Sequence, residues 1–201
     1  MLNYQEAARA FNLEMAAKDL LSGSIDALNA CYECCDRHAQ SDADKVALYW
    51  QGKDGRKEQY TFSELQKGAS QFANFLKSQG VGKGDRVSGL LPRTPELIMT
   101  ILGAWRIGAV YQPLFTAFES KAIEHRIETA GTRLIVTNSE QRTKLNEIEN
   151  TEILTIHAQG KVSKDADFWT EIAKYSTHFS SEKLSFEDDF LMMFTSGTTG
   201  L

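Results

Sequence analysis

Proline and cysteine are scarce in this chain, and long apolar runs are absent. Only three prolines occur in 201 residues, so no stiff proline-rich linker divides it. The three cysteines are an odd number and all lie within "CYECC". That excludes the even, dispersed set of a disulfide-stapled secreted domain. No stretch approaches the ~18 apolar residues of a membrane span. Positive charge is not in excess either: the net charge is −5, with Lys and Arg scattered among Asp and Glu. Neither nucleic acid nor an anionic membrane is an expected partner of such a surface. The amino terminus lacks the basic and then apolar order of a secretory signal. Glu6, Glu14 and Asp19 argue against a transit helix. Together these absences predict a globular cytoplasmic protein.

What is present is an ordinary globular composition, 42% hydrophobic and 24% charged, enough for one sizeable core. No internal repeat or low-complexity tract interrupts it. The texture changes near Gly82–Asp85. Before that point, helical patterns cover Tyr4–Leu20 and Ile25–His38. "VALYWQ", the turn "GKDG" and "RKEQYT" then read as a hairpin. Thr61-Phe-Ser-Glu64 fits a capping box, with Tyr60 and Leu65 placed for a hydrophobic staple. Leu65, Ala69, Phe72 and Leu76 continue at helical spacing to a stop at Gly80.

After that point strands and helices alternate. "RVSGLLP", "AVYQPL", "RLIVTN" and "EILTIH" read as strands. "TPELIMTILGAWRIG", with Thr94 as N-cap and Pro95 at the first position, reads as a helix. So do "SKAIEHRIETAG" and "SEQRTKLNEIE". This order predicts an α/β fold, a layered parallel sheet with helices on both faces. Val162–Asp189 reads as a polar, acidic surface excursion. "FLMMF" reads as one more buried strand.

That strand delivers Thr195-Ser-Gly-Thr-Thr-Gly200. Ligands of open parallel sheets sit at the carboxyl ends of strands. Gly197 and Gly200 permit positive φ and close backbone approach. Successive N–H groups can form an anion nest, and Thr195, Ser196, Thr198 and Thr199 add hydroxyl donors. The donor set suits phosphate oxygens, although a plain polar turn has the same composition. The Walker pattern is not matched.

"MMFTSGTTG" resembles the phosphate loop of the adenylate-forming, or AMP-binding, superfamily. "YTFSEL" (60–65), "GVGKGDRV" (80–87) and "LGAWRIGAVYQPL" (102–114) resemble further family stretches in the same order. "LNACYECCDRHA" (28–39) and "PLFTAFESKAIEHRI" (113–127) resemble the acetyl-, propionyl- and medium-chain acyl-CoA synthetase branch. The resemblance covers nearly the whole chain. It implies the amino-terminal part of the family's large domain, truncated within the phosphate loop. On this reading residues 1–40 form a helical segment and residues 41–201 a partial AMP-binding domain.

The resemblance implies an AMP-forming acid–thiol ligase acting on a small carboxylic acid, ATP with Mg2+, and CoA. Acetate, propionate or another short- to medium-chain acid is the expected substrate. Thr195, Ser196, Gly197, Thr198, Thr199 and Gly200 would hold the ATP phosphates. In the acetyl-CoA synthetase branch, basic residues after the strand like "RLIVTN" meet the phosphate end of CoA. Arg142 and Lys144 stand at that place, where a solvated helix face is the plainer reading. The magnesium carboxylate, the adenine site and the carboxy-terminal catalytic lysine would lie beyond Leu201. Residues 1–201 alone are therefore expected to be inactive and to expose an apolar face where the rest would dock. The alternatives are another adenylate-former, or a non-enzymatic truncated product that retains the loop.

Other tempting residues have plainer readings. Cys31, Cys34, Cys35 and His38 share one face of the predicted helix. One straight helix cannot wrap a metal tetrahedrally, and buried cysteine packs as a small hydrophobe. His125 and Arg126 fit a helix surface, with Arg126 paired to Glu119 or Glu128. Trp50, Trp105 and Trp169 fit core or half-buried anchors.

Overall fold

The computed structural model describes residues 3–22, 27–156 and 165–195. The amino terminus forms α1 (Tyr4–Ala10) and α2 (Leu13–Leu20) rather than one helix. Asn12 makes the break, because its side chain accepts from Met15 N at 3.0 Å and starts α2 afresh. Helix α1 buries none of its residues. The next helical stretch also departs from expectation. Asn29 Oδ1 accepts from Cys31 N and Tyr32 N, so the stretch starts after Asn29. A wide π-helical turn (Tyr32–Asp36) follows, then α3 (Arg37–Ser41). Through that turn Cys31, Cys35 and Asp36 all face the interior.

The hairpin is as expected: β1 (Val46–Gln51) pairs antiparallel with β2 (Lys57–Thr61). Its turn closes with Gly52 N donating to Arg56 O at 2.9 Å, and Gly55 takes φ 84°. Helix α4 (Phe62–Ser78) opens with the full capping box. Thr61 Oγ1 accepts from Glu64 N at 3.1 Å, and Glu64 Oε2 accepts from Thr61 N at 2.8 Å. Tyr60 and Leu65 meet in one apolar cluster, as a staple should.

The sheet contains β3 (Arg86–Leu90), β4 (Val110–Pro113), β5 (Thr132–Asn138), β6 (Glu152–Ile156) and β7 (Ala166–Asp167). All pairings are parallel, in the order β4-β3-β5-β6-β7. Helix α5 (Pro95–Arg106) joins β3 to β4, and α6 (Ser120–Ala130) joins β4 to β5. Gly131, at φ 62°, ends α6 in the left-handed region where the next strand begins. The two crossovers run in opposite directions along the sheet, so right-handedness puts their helices on opposite faces. The strands alternate accordingly. Leu134 and Val136 of β5 pack with α4 and α5, whereas Ile135 packs with Ile123 and Ile127 of α6.

Helices α4 and α5 lie between the sheet and the layer formed by the hairpin and the π-turn, where Cys31 and Cys35 meet Leu65, Ala69, Met99 and Leu102. Their contact depends on small residues. A Cβ on Gly103 would stand 2.6 Å from Phe72 Cδ1 and 3.0 Å from the Ala69 carbonyl oxygen.

Three further elements differ from the sequence reading. "SEQRTKLNEIE" gives only a 3-10 turn, Arg142–Leu145, because Leu145 is its single fully buried anchor. The supposed polar excursion contributes β7 and α7 (Phe168–Ile172), whose Phe168 and Ile172 are buried one helical turn apart. "FLMMF" is not a buried strand. Phe190, Leu191 and Met193 are exposed, and the segment makes one parallel bridge, Leu191 to Tyr111, on the outer edge of β4. Among the described residues no helix is long and apolar enough to cross a membrane.

Candidate functional site

The strand order reverses at β3, which has β4 on one side and β5 on the other. The loops after β3 and β4 therefore diverge to opposite faces and leave a crevice at the carboxyl end of the sheet. A cleft of about 920 Å³ occupies this place, lined among others by Trp50, Lys53, Leu91, Arg93, Tyr111 and Phe115. Gly89 makes room for the wall: a Cβ there would collide with the Tyr111 hydroxyl. Burial keeps that phenol protonated well above its ordinary range.

The segment that precedes the Ser/Thr/Gly run is tied down at three points. Trp105 Nε1 donates to Phe190 O at 2.7 Å, and the two rings meet edge-on with centroids 5.5 Å apart. On the β4 edge, Tyr111 N donates to Phe190 O at 3.0 Å and Met192 N to Tyr111 O at 2.9 Å. At the far end Phe194 meets α6, where Arg126 Cζ lies 5.7 Å from its ring centroid and the His125 ring 6.5 Å away. The bridge to β4 is parallel, so the chain leaves it toward the carboxyl end of the sheet. Thr195 is the one residue of the expected phosphate loop that is described, and it is exposed. Ser196, Gly197, Thr198, Thr199 and Gly200 lie outside the described residues.

The two expected CoA contacts sit on the 3-10 turn after β5 and hold other partners. Arg142 forms a two-pronged ion pair with Asp165, which also accepts from Thr155 Oγ1 at 3.1 Å. Lys144 Nζ donates to Thr116 O at 2.6 Å and Phe118 O at 3.0 Å, bracing the loop after β4. Neither side chain lies on the solvated face of a regular helix.

The cysteine cluster is divided by burial. Cys31 and Cys35 are interior and Cys34 is exposed. Desolvation raises the Cys31 thiol and pushes Cys35 up to about 12, so both are protonated and poorly nucleophilic near neutral pH. His38 meets the Phe62 ring with centroids 5.0 Å apart. Trp50 and Trp105 are half-buried anchors, while Trp169 is 40% exposed with Nε1 donating to Glu96.

Two buried polar constructions escaped the sequence reading. Arg106, 1% exposed, pairs with Asp36 and donates to Cys31 Sγ at 3.2 Å and Phe179 O at 2.9 Å. Gln112 on β4 accepts from Ser88 Oγ at 2.5 Å and Thr132 Oγ1 at 2.7 Å, and donates to the Arg126 carbonyl at 3.1 Å. Polar residues within strand and helix patterns (Asp36, Ser88, Arg106, Gln112 and Thr132) were the available signal, since buried polar groups persist where they find partners.

A parallel sheet with helices on both faces and a crevice at the strand-order reversal defines an open, doubly wound α/β class of fold. The family model "AMP-binding enzyme" matches residues 35–201, and the chain belongs to that family. It is 37% identical, over 98% of its length, to acetyl-coenzyme A synthetase of Bacillus subtilis, of which it covers 36%. It is 36% identical, over 86% of its length, to acetyl-coenzyme A synthetase of Syntrophobacter fumaroxidans, of which it covers 30%. Among solved structures, Brucella canis acyl-CoA synthetase superposes with a TM-score of 0.92 at 45% identity, over 98% of this chain and 37% of that one. The chain thus spans about a third of the length of the relatives it matches.

Proposed function

We propose that the chain is the amino-terminal part of an AMP-forming acyl-CoA synthetase, and that Thr195–Gly200 grips the ATP phosphates. In this reaction the substrate carboxylate attacks the α-phosphorus, the bond to the β-phosphate bridging oxygen breaks, and pyrophosphate leaves. CoA thiol then displaces AMP from the acyl-adenylate. The work of the loop is positional and electrostatic. Its N–H and hydroxyl donors would hold the β- and γ-phosphates while negative charge moves onto the leaving group.

The observation that supports this reading is the parallel bridge of Leu191 to Tyr111, which directs the chain toward the carboxyl end of the sheet with Thr195 exposed. The names of the relatives favour CoA as thiol acceptor and acetate or another short acid as substrate. Arg142 and Lys144 remain the proposed cations for CoA. To meet a phosphate, Arg142 would give up Asp165 and Lys144 its two carbonyls. On this reading adenine contacts, Mg2+ binding and the carboxy-terminal catalytic lysine belong to parts of the complete enzyme outside residues 1–201, so the 201-residue chain alone should form no acyl-hydroxamate from acetate, ATP and hydroxylamine. Hydroxamate formation by the 201-residue chain would contradict that division of labour. Thr198→Ala in the complete enzyme should cut acetate-dependent ATP–pyrophosphate exchange by about a hundredfold, the cost of one well-aimed donor. Unchanged exchange would refute the phosphate role.

A further inference from the structure

We propose that Arg126 is a positioning residue for the run that begins at Thr195, acting through the ring of Phe194. This inference rests on the phosphate reading of Thr195–Gly200.

Arg126 is half-buried on α6 and, among the described residues, has no carboxylate within ion-pair reach, contrary to the expected pairing with Glu119 or Glu128. Its guanidinium lies over two aromatic rings, 4.2 Å from the Phe118 centroid and 5.7 Å from that of Phe194. Among the described residues only its Nη1 makes a hydrogen bond, to Ala122 O at 2.7 Å, and Nε is buried with no acceptor among them. Aromatic faces are thus its main partners, and a cation over a ring prefers a narrow range of placements. Phe118 is itself held, because Lys144 donates to its carbonyl.

The backbone beneath this contact is fixed from the sheet. Gln112 donates to the Arg126 carbonyl, and its own oxygen accepts from Ser88 on β3 and Thr132 on β5. A chain of contacts therefore runs from three neighbouring strands, β3, β4 and β5, through α6, to the ring next to Thr195. At the other end the same segment is anchored by Trp105 on α5. Phe190 and Phe194 are pinned to helices on opposite faces of the sheet, and the backbone of Phe190 and Met192 bonds to Tyr111 of β4. A loop that must aim several donors at polyphosphate gains from such an entry, since a misaimed donor loses most of its effect.

The test has two readouts. In the 201-residue chain, Arg126→Met keeps the apolar stem and removes the cation. Chymotryptic cleavage after Phe194 should accelerate by up to about fivefold, the range of one half-exposed cation–π contact. Cleavage after Phe190, anchored independently, should not change. Equal cleavage at Phe194 in both proteins would overturn the anchoring. In the complete enzyme, Arg126→Met should raise KM for ATP by up to about fivefold while KM for acetate and the melting temperature hold, with Arg126→Lys recovering part of the loss. Phe194→Leu should give the same KM shift, and the double variant no further loss. An unchanged KM for ATP, or additive effects, would overturn the positioning role. If the unsubstituted complete enzyme showed no ATP–pyrophosphate exchange, the phosphate reading would fall and the positioning role with it. The cleavage experiment would still decide the anchoring.

Discussion

Arg106 and Arg126 occupy helices on opposite faces of one sheet, and the protein uses the two cations differently. Arg106 is almost fully enclosed, with Asp36 as counter-ion and the Phe179 carbonyl as a further acceptor. Asp36 is also served by Ser181 Oγ at 3.0 Å and Gln66 Nε2 at 3.2 Å. The pair joins the π-turn, α5 and the strap around Ser181 far from the crevice. Among the described residues Arg126 has no acid partner, and it lies over two rings, one of them Phe194 in the segment that runs past the β4 edge. A charge buried with its partner fixes architecture, whereas a charge resting on aromatic rings can position the segment that carries one of them. The chemistry around each guanidinium, rather than the residue type, separates the two roles.

Breaking the Arg106 pair should have the largest effect. Arg106→Met leaves Asp36 buried without its counter-charge, which costs about 3–5 kcal/mol, read by urea unfolding. A loss below about 1 kcal/mol would show that solvent reaches Asp36. Next in size is Gly103→Ala on the same helix, where the added methyl meets Phe72 and a backbone oxygen. It should cost about 1–3 kcal/mol by the same measurement.

The same region sets an alkaline limit. Burial raises the Cys35 thiol from its ordinary 9.0 to about 12, so between these values the folded chain holds a proton that the unfolded chain releases. Stability is therefore full below about 9 and falls as pH rises toward about 12. Cys35→Ala should flatten that limb relative to the parent in urea titrations at several pH values; an unchanged slope would exclude Cys35 as its source. The smallest effect belongs to Arg126→Met, below about 1 kcal/mol, because a partly exposed cation–π contact contributes little to global stability. A cost as large as that at Arg106 would erase the contrast between the two sites.

Much of the fold was legible because it is coded locally. The Thr61–Glu64 box, the Asp54-Gly55 turn, Pro95 at a helix start and Gly131 at a helix end each carry their own geometry. Elements held by few tertiary contacts were not. Phe168 and Ile172 are two buried residues in a polar stretch, too few to show a period. Leu145 alone could not carry the helix expected around it. The apolar run at Phe190–Phe194 reads as interior by composition, yet it bridges only one edge of the sheet. For the candidate site, the Thr/Ser/Gly run was visible as a motif. The braces on its approach, Trp105, Gln112 and Arg126, were not, because each looks like an ordinary member of its strand or helix until the third dimension assembles them.

The most direct test of the phosphate role is acetate-dependent exchange of labelled pyrophosphate into ATP by the complete enzyme, with and without Thr198→Ala. Robust exchange that falls by about a hundredfold in the variant, with an unchanged melting temperature, is the expected result. Exchange that is absent from the parent, or equal in the two proteins, would contradict it.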